Sequence, residues 1–230
     1  MKTAGILGGM GPQATVDLMQ RVIDATPARD DCDHVHMIVD NNPQVPSRIK
    51  ALIEKTGESP GPVLARMAKG LARAGAHFLA MPCNTAHAFL PQIRAAVDIP
   101  VLDMIGLTVA RLAGQDPPLR RAGLLASPAV AALKLYETPL ASQGIELICP
   151  PDIQPELLHI IRAVKKGDMG DETRARLAAA ASRLGDAGAE SVIIACTEFS
   201  VITDALPGDL PAIDALQVLA EEIVSHATTG

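Results

Sequence analysis

The chain has 230 residues, long enough for one large domain or two small ones with a substantial core. With 48% hydrophobic and 20% charged residues it reads as a folded globular protein and not a disordered one. A net charge of -6, no Trp, one Tyr and three Phe argue against nucleic acid, which asks for a basic footprint and stacking platforms.

No apolar run reaches the roughly 18–20 residues of a membrane helix. The opening segment Met1–Gly9 is too short and glycine-rich for a signal-peptide core. The expectation is a cytoplasmic protein with no membrane partner. The four cysteines, Cys32, Cys83, Cys149 and Cys196, form no C-x-x-C pair, and the histidines lack metal-ligand spacing, so no metal is expected.

In chain order, Thr3–Leu7 reads as a buried strand. Pro12–Ala25 reads as a helix with its proline in the first turn, where a missing N–H costs nothing. His34–Val39 is a strand, Pro62–Ala74 a helix stopped by Gly75, and Phe78–Met81 a strand followed by a helix over about Ala86–Val97. Val101–Leu102 and Ile105–Ala113 repeat the pattern. Then come strand Ala122–Leu125, a helix over about Ala129–Ser142, strand Ile145–Ile148 and helices Glu156–Val164 and Asp171–Ala187. Strand Ser191–Ala195 and a last helix, Ala215–His226, complete the order. Such alternation predicts parallel sheets covered by helices.

The chain also resembles itself. Residues 74–85, AGAHFLAMPCNT, align with residues 187–198, AGAESVIIACTE, at an offset of 113, and residues 4–9, AGILGG, with residues 122–127, AGLLAS, at 118. Two pairs in the same order at nearly the same offset predict a duplicated α/β unit. Ligands of open parallel sheets sit beyond the carboxyl ends of the strands, where both Cys83 and Cys196 fall. Two matched thiols on opposite sides of one ligand suit removal of a proton from one face of a carbon and its return to the other. The small polar residues after each cysteine, Asn84-Thr85 and Thr197-Glu198, place a helix start there. Its free N–H groups would bind a carboxylate and lower a thiol pKa from about 8.5. Cys32 and Cys149 have no counterparts and read as structural or incidental.

Three features compete. Gly9-Met10-Gly11-Pro12-Gln13-Ala14 fits G-x-G-x-x-A, with Asp30, Asp31 and Asp33 about 20 residues on, so it is a dinucleotide cradle, a tight strand-to-helix turn or a cap for a small carboxylate. His87, four residues after Cys83, allows a Cys–His hydrolase pair, or is a partly exposed or a supporting histidine. Arg48, at the end of the proline-fixed loop Asn41–Arg48, is a carboxylate grip or a surface residue; Lys165-Lys166-Gly167 closes a helix whose dipole favours lysine regardless of function.

The segments GILGGMGPQAT, NNPQVPSR, MPCNTAH, K-x-G at Lys165–Gly167 and AGAESVIIACTE together resemble the cofactor-independent aspartate/glutamate racemases along essentially the whole chain. GGMGP and the Glu198 after Cys-Thr are similar to the aspartate racemase branch. The resemblance implies two similar three-layer α/β domains with parallel sheets, related by a pseudo-twofold duplication, with the site in the cleft between them. The first domain would be 1–98 plus about 208–230, with Cys83; the second would be 99–207, with Cys196. It implies racemisation of aspartate or glutamate by Cys83 and Cys196 as paired acid/base thiols, no cofactor, and a homodimer. It assigns Arg48 and Lys165 to the side-chain carboxylate, and Asn84, Thr85 and Thr197 to the α-carboxylate and amine. Met10 then edges the site, and Ser127 and Glu198 also bind substrate. Ser47, where that branch often has Asp, and Ala126-Ser127-Pro128 in the second-half loop depart from the pattern and leave the substrate open. The alternatives are a broad-specificity racemase, a maleate-type isomerase or decarboxylase, and a small-anion or dinucleotide binding module.

Overall fold

The computed structural model describes residues 1–229. In chain order the first elements are β1 (Ala4–Gly8), α1 (Pro12–Ala25), β2 (Met37–Asn41), α2 (Gly61–Arg73), β3 (Phe78–Ala80), α3 (Leu90–Arg94) and α4 (Met104–Ala113). Then follow β4 (Arg121–Ala126), α5 (Pro128–Ala132), α6 (Glu137–Ala141), β5 (Glu146–Ile148), α7 (Gln154–Lys165) and α8 (Asp171–Asp186). β6 (Ser191–Ala195), α9 (Thr197–Ser200), β7 (Ala212–Asp214) and α10 (Ala215–Thr228) complete the chain. They form two compact units, Met1–Met104 with Leu216–Gly230, and Ile105–Ala215. The sequence places these boundaries near 98 and 208; in the structure β7 pairs with β6 and keeps residues 212–214 in the second unit.

In the first unit β1 lies between β2 and β3, all parallel. Every residue of β1 is buried, which is why it reads as an unbroken apolar run: a central parallel strand is covered on both faces. Leu7, Leu79 and Met81 pack with Leu64, Met67 and Leu71 of α2. Phe78, pointing the other way along β3, meets the His226 ring of α10 at 4.6 Å between centroids. The N–H of Lys2 bonds to the carbonyl of Ala227 at 2.9 Å, so the last helix is tied to this unit at its far end.

In the second unit the order is β5-β4-β6-β7, again all parallel. Alternate residues serve opposite faces. Leu124 and Ile193 pack with Val109 and Leu112 of α4 and Leu140 of α6. Leu125 and Ile194 pack with Leu157 and Ile161 of α7 and Leu177 and Leu184 of α8. The result is a sheet between two helical layers.

The duplication holds at the level of individual bonds. Ala4 pairs with Phe78, and Ala122 pairs with Ser191, the same register under the two sequence offsets. Gly5 leaves no room for a Cβ, which would lie 2.8 Å from Cβ of Ala76 and 3.2 Å from Cβ of Leu71. Its counterpart Gly123 is closed in by the counterpart residues, Cβ of Ala189 at 3.1 Å and Cβ of Leu184 at 3.0 Å. Gly75 and Gly188 turn both helices into their strands with φ of 102° and 92°. A third repeat escapes the self-comparison above: DIPVLD at 98–103 and DLPAID at 209–214. Val101 bridges Leu79 much as Ala212 pairs with Val192, so the first segment is the single-bridge counterpart of β7.

Two expected helices are broken, each by a proline. A helix over 86–97 would place Pro91 where its N–H must reach His87; instead Leu90 donates that bond from the end of a 3-10 turn, Thr85–Phe89, and α3 restarts with Pro91 in its first turn. A helix over 129–142 would bury Pro139 in its interior. The chain instead reverses through Lys134, at φ 53°, and α6 begins afresh with Pro139 in its first turn.

Candidate active site

The residues singled out in the first unit gather at the carboxyl ends of its three strands. Met10 follows β1, Arg48 lies beyond β2, and Cys83, Asn84 and Thr85 follow β3. Met10 and Cys83 belong to one buried cluster. Cys83 is 7% exposed and Asn84 4%, with Thr85 half-buried. Arg48 is a half-buried brace: its Nη1 donates to the carbonyls of Val45 (3.1 Å) and Pro46 (3.0 Å), fixing the shape of the proline loop.

In the second unit Ser127 follows β4, and Cys196, Thr197 and Glu198 follow β6. Ser127 caps α5 by accepting the N–H of Val130 at 3.4 Å. Lys165 comes from the last turn of α7, which packs against α9. Its ammonium lies 3.2 Å from Glu198 Oε1, and Glu198 Oε2 accepts from the Cys196 thiol at 2.9 Å. Thus Lys165, Glu198 and Cys196 form one chain of contacts, brought together by strand ends and a helix end.

This chain reverses one expectation. The sequence predicts that the start of α9 lowers the pKa of Cys196; the Glu198 N–H there does act in that direction, as does Lys165, yet the thiol is pushed well above its ordinary value, first by burial and then by the Glu198 charge and side-chain hydrogen bond. The four residues of α9 offer too little dipole to outweigh burial next to a carboxylate. The sign gives a test. Glu198→Gln removes the repelling charge, so more Cys196 is thiolate at a fixed pH near 8 and its alkylation by iodoacetamide speeds up. Lys165→Met removes the opposing cation and slows it. Labelling resolved by mass spectrometry, with Cys83 as internal control, checks both directions.

The competing readings meet physical objections. Asp30 and Asp33 spend their side chains on a capping box around the turn Asp31–Asp33, ahead of β2, whereas a ribose-binding acid belongs at the far end of that strand. Gly9 is required for another reason: at φ 92° any Cβ would collide with the backbone of Asn42, so the turn after β1 and the loop after β2 touch backbone to backbone. Of the two non-catalytic readings of His87, partly exposed or supporting, the structure shows the second: the ring is 5% exposed with both nitrogens engaged by backbone groups, and burial holds its pKa down. It is no base for Cys83. Cys32 is exposed and Cys149 intermediate, without counterparts. Among the described residues no group of three His, Cys, Asp or Glu is placed to hold a metal, and no helix is long and apolar enough to cross a membrane.

Two duplicated parallel sheets, each carrying a buried cysteine at the same strand end, define the class of isomerase fold to which comparisons with known proteins also lead. The chain belongs to the Asp/Glu/Hydantoin racemase family, whose sequence profile matches residues 7–223, and is an isomerase of the racemase type. It is 28% identical over 225 residues to the broad specificity amino-acid racemase RacX of Bacillus subtilis, covering 96% of both chains. It shares 29% identity and a TM-score of 0.88 with the aspartate racemase of Picrophilus torridus, covering 99% of this chain and 94% of that one. The fold also extends to the glutamate racemase of Francisella tularensis in complex with D-glutamate. There the TM-score is 0.71 at 18% identity, with 98% of this chain and 80% of that chain covered.

Proposed function

We propose that the protein racemises an acidic amino acid, aspartate or glutamate, without a cofactor, with Cys83 and Cys196 as its two acid/base groups. The observation that carries this reading is the equivalence of the two thiols. Both are buried, both follow the strand that pairs in parallel with the first strand of their unit, β1 or β4, and the pairing register leading to each is the same. In one direction Cys83, as thiolate, takes the Cα proton, and the Cys196 thiol delivers its own proton to the opposite face. Cys83 is left as thiol and Cys196 as thiolate, ready for the reverse reaction. The Glu198 hydrogen bond favours the protonated form of Cys196, so the resting enzyme is set for the direction in which Cys196 is the acid. A positioned acid or base contributes about 10²–10⁴-fold, so the carbanion-like transition state also needs fixed donors. Asn84, Thr85 and Thr197 are the candidates around the α-carboxylate and amine, Ser127 and Glu198 are further substrate contacts, and Met10 lies at the edge. Arg48 and Lys165 are the cations for a side-chain carboxylate, and the product is expected from a homodimer in the cytoplasm.

A broader substrate range is the second reading. The Lys165 ammonium is already paired with Glu198, Ser47 stands where that branch often has an acid, and the RacX likeness points the same way. Proton NMR in D₂O with a panel of L- and D-amino acids and no added cofactor separates the two. Loss of the Cα–H signal from aspartate or glutamate alone, with the enantiomer appearing, supports the first. Exchange across neutral amino acids supports the second, and no exchange in any of them overturns both.

A further inference from the structure

Every polar atom of the His87 side chain is in use. Nδ1 contacts the carbonyl of Cys83 at 2.9 Å, and Nε2 accepts the backbone N–H of Met104 at 3.1 Å. A carbonyl only accepts and an amide N–H only donates, so the ring is the neutral tautomer with its proton on Nδ1. Cys83 has its other backbone group satisfied within the same turn, its N–H donating to Met81 at 2.8 Å. Met104 follows Val101 and Leu102, which hydrogen-bond beside Leu79 of β3. The imidazole therefore joins two neighbouring strand ends, one carrying the thiol and the other leading into α4.

We propose that His87 is a positioning residue for the Cys83 thiol: a neutral imidazole clamp that fixes the Cys83 carbonyl to the start of α4 and so sets where Sγ points. The equivalent position in the second unit supports this independently. Ser200 also stands four residues after its cysteine, and its Oγ donates at 2.8 Å to Asp214, which immediately precedes α10 as Asp103 precedes α4. Two different polar links fill one place in the fold. Apolar packing would fill the volume as well, but a hydrogen-bonded link also fixes distance and direction.

The clamp is acid-sensitive by construction, because a proton on Nε2 would face the Met104 N–H and break that bond. Burial disfavours the charged ring most strongly and Arg94 adds to this, while Asp103 and the Cys83 carbonyl favour it. This role rests on the two-thiol reading, yet two of its readouts need no activity. In ¹⁵N-histidine NMR of the wild-type protein, His87 is expected as the Nδ1–H tautomer, and it stays neutral below the pH at which exposed histidines titrate. An Nε2–H tautomer, or ordinary titration near pH 6.5, overturns the clamp. His87→Gln, long enough to keep a donor and an acceptor in reach, should stay near wild type, while His87→Asn is too short to reach Met104. With a misplacement of about 1 Å, His87→Asn should lose on the order of 100-fold in kcat, with little change in KM. Alkylation should change at Cys83 and hold at Cys196. Wild-type kcat and labelling in His87→Asn, or equal changes at both cysteines, overturn the role. If the wild-type protein racemises nothing but the tautomer and the Cys83-specific labelling change are seen, the racemase reading fails and the clamp stands.

Discussion

Cys196→Ala is expected to lose racemisation by about 10³-fold or more while keeping the fold. The alanine deletes one buried atom, a loss of about 1 kcal/mol, so any larger effect on rate belongs to the chemistry. A single acid or base is worth about 10²–10⁴-fold, and here its removal takes away the only proton source proposed for one face of the carbon. The variant still holds Cys83, which remains able to take the proton from one enantiomer and give solvent deuterium back to the same face. The expected signature in D₂O is therefore exchange without inversion, for one enantiomer only. Cys83→Ala should show the mirror image, exchange of the opposite enantiomer. Full racemisation by either variant, followed by polarimetry or chiral chromatography, would sink the two-thiol mechanism. Exchange of both enantiomers by one variant would mean that a third group reaches the carbon.

The largest effect on stability is expected at Gly9. Its φ of 92° is one that L side chains rarely adopt, and its missing Cβ is where the backbone of Asn42 passes. Left-handed strain costs about 1–2 kcal/mol and overpacking typically about 1–3, so Gly9→Ala should lose about 2–5 kcal/mol. At a few degrees per kcal/mol for a chain of this size, the melting temperature falls by about 5–15 °C. Gly70 is the control. It lies inside α2 with nothing within 4 Å of an added Cβ, so Gly70→Ala should raise stability by about 0.5–1 kcal/mol. Thermal melts of the two variants check both signs. A Gly9→Ala melt indistinguishable from wild type would mean that the turn after β1 and the loop after β2 are not in the tight contact described.

The fold was legible where residues act through period and repetition. The buried strands and the Ala-Gly-Ala turns recur at fixed offsets because each must satisfy the same packing twice, and Gly75 and Gly188 share the left-handed turn that only such a residue tolerates readily. The breaks at Pro91 and Pro139 carried a local signal, a proline inside an expected helix, which the apolar period masked. β7 was invisible because three residues, Ala212, Ile213 and Asp214, gain their strand identity only by pairing with β6; the repeated D-[IL]-P segment was the available clue. At the site, the positions of the cysteines could be read, but the state of Cys196 could not. That state depends on Glu198 folding back onto the thiol and on a lysine arriving from α7, 31 residues earlier in the chain. Likewise the spacing of Cys83 and His87 showed that they are close, not that the ring would turn to the carbonyl and away from the sulfur.

The paired glycines, Gly5 and Gly123, mark what the two halves still share, and the residues beside the thiols mark what they do not. Where one half has Thr85 the other has Glu198, and where one has His87 the other has Ser200. A chain with two identical halves would hold two thiols of identical acidity, with nothing to decide which of them keeps the proton. Catalysis by a pair of like groups needs them unlike at each instant. On the proposed two-thiol reading, this is why divergence is found a few residues from the sulfurs while the scaffold contacts around the glycines remain matched: Glu198, which has no acidic counterpart in the first half, holds the proton on Cys196.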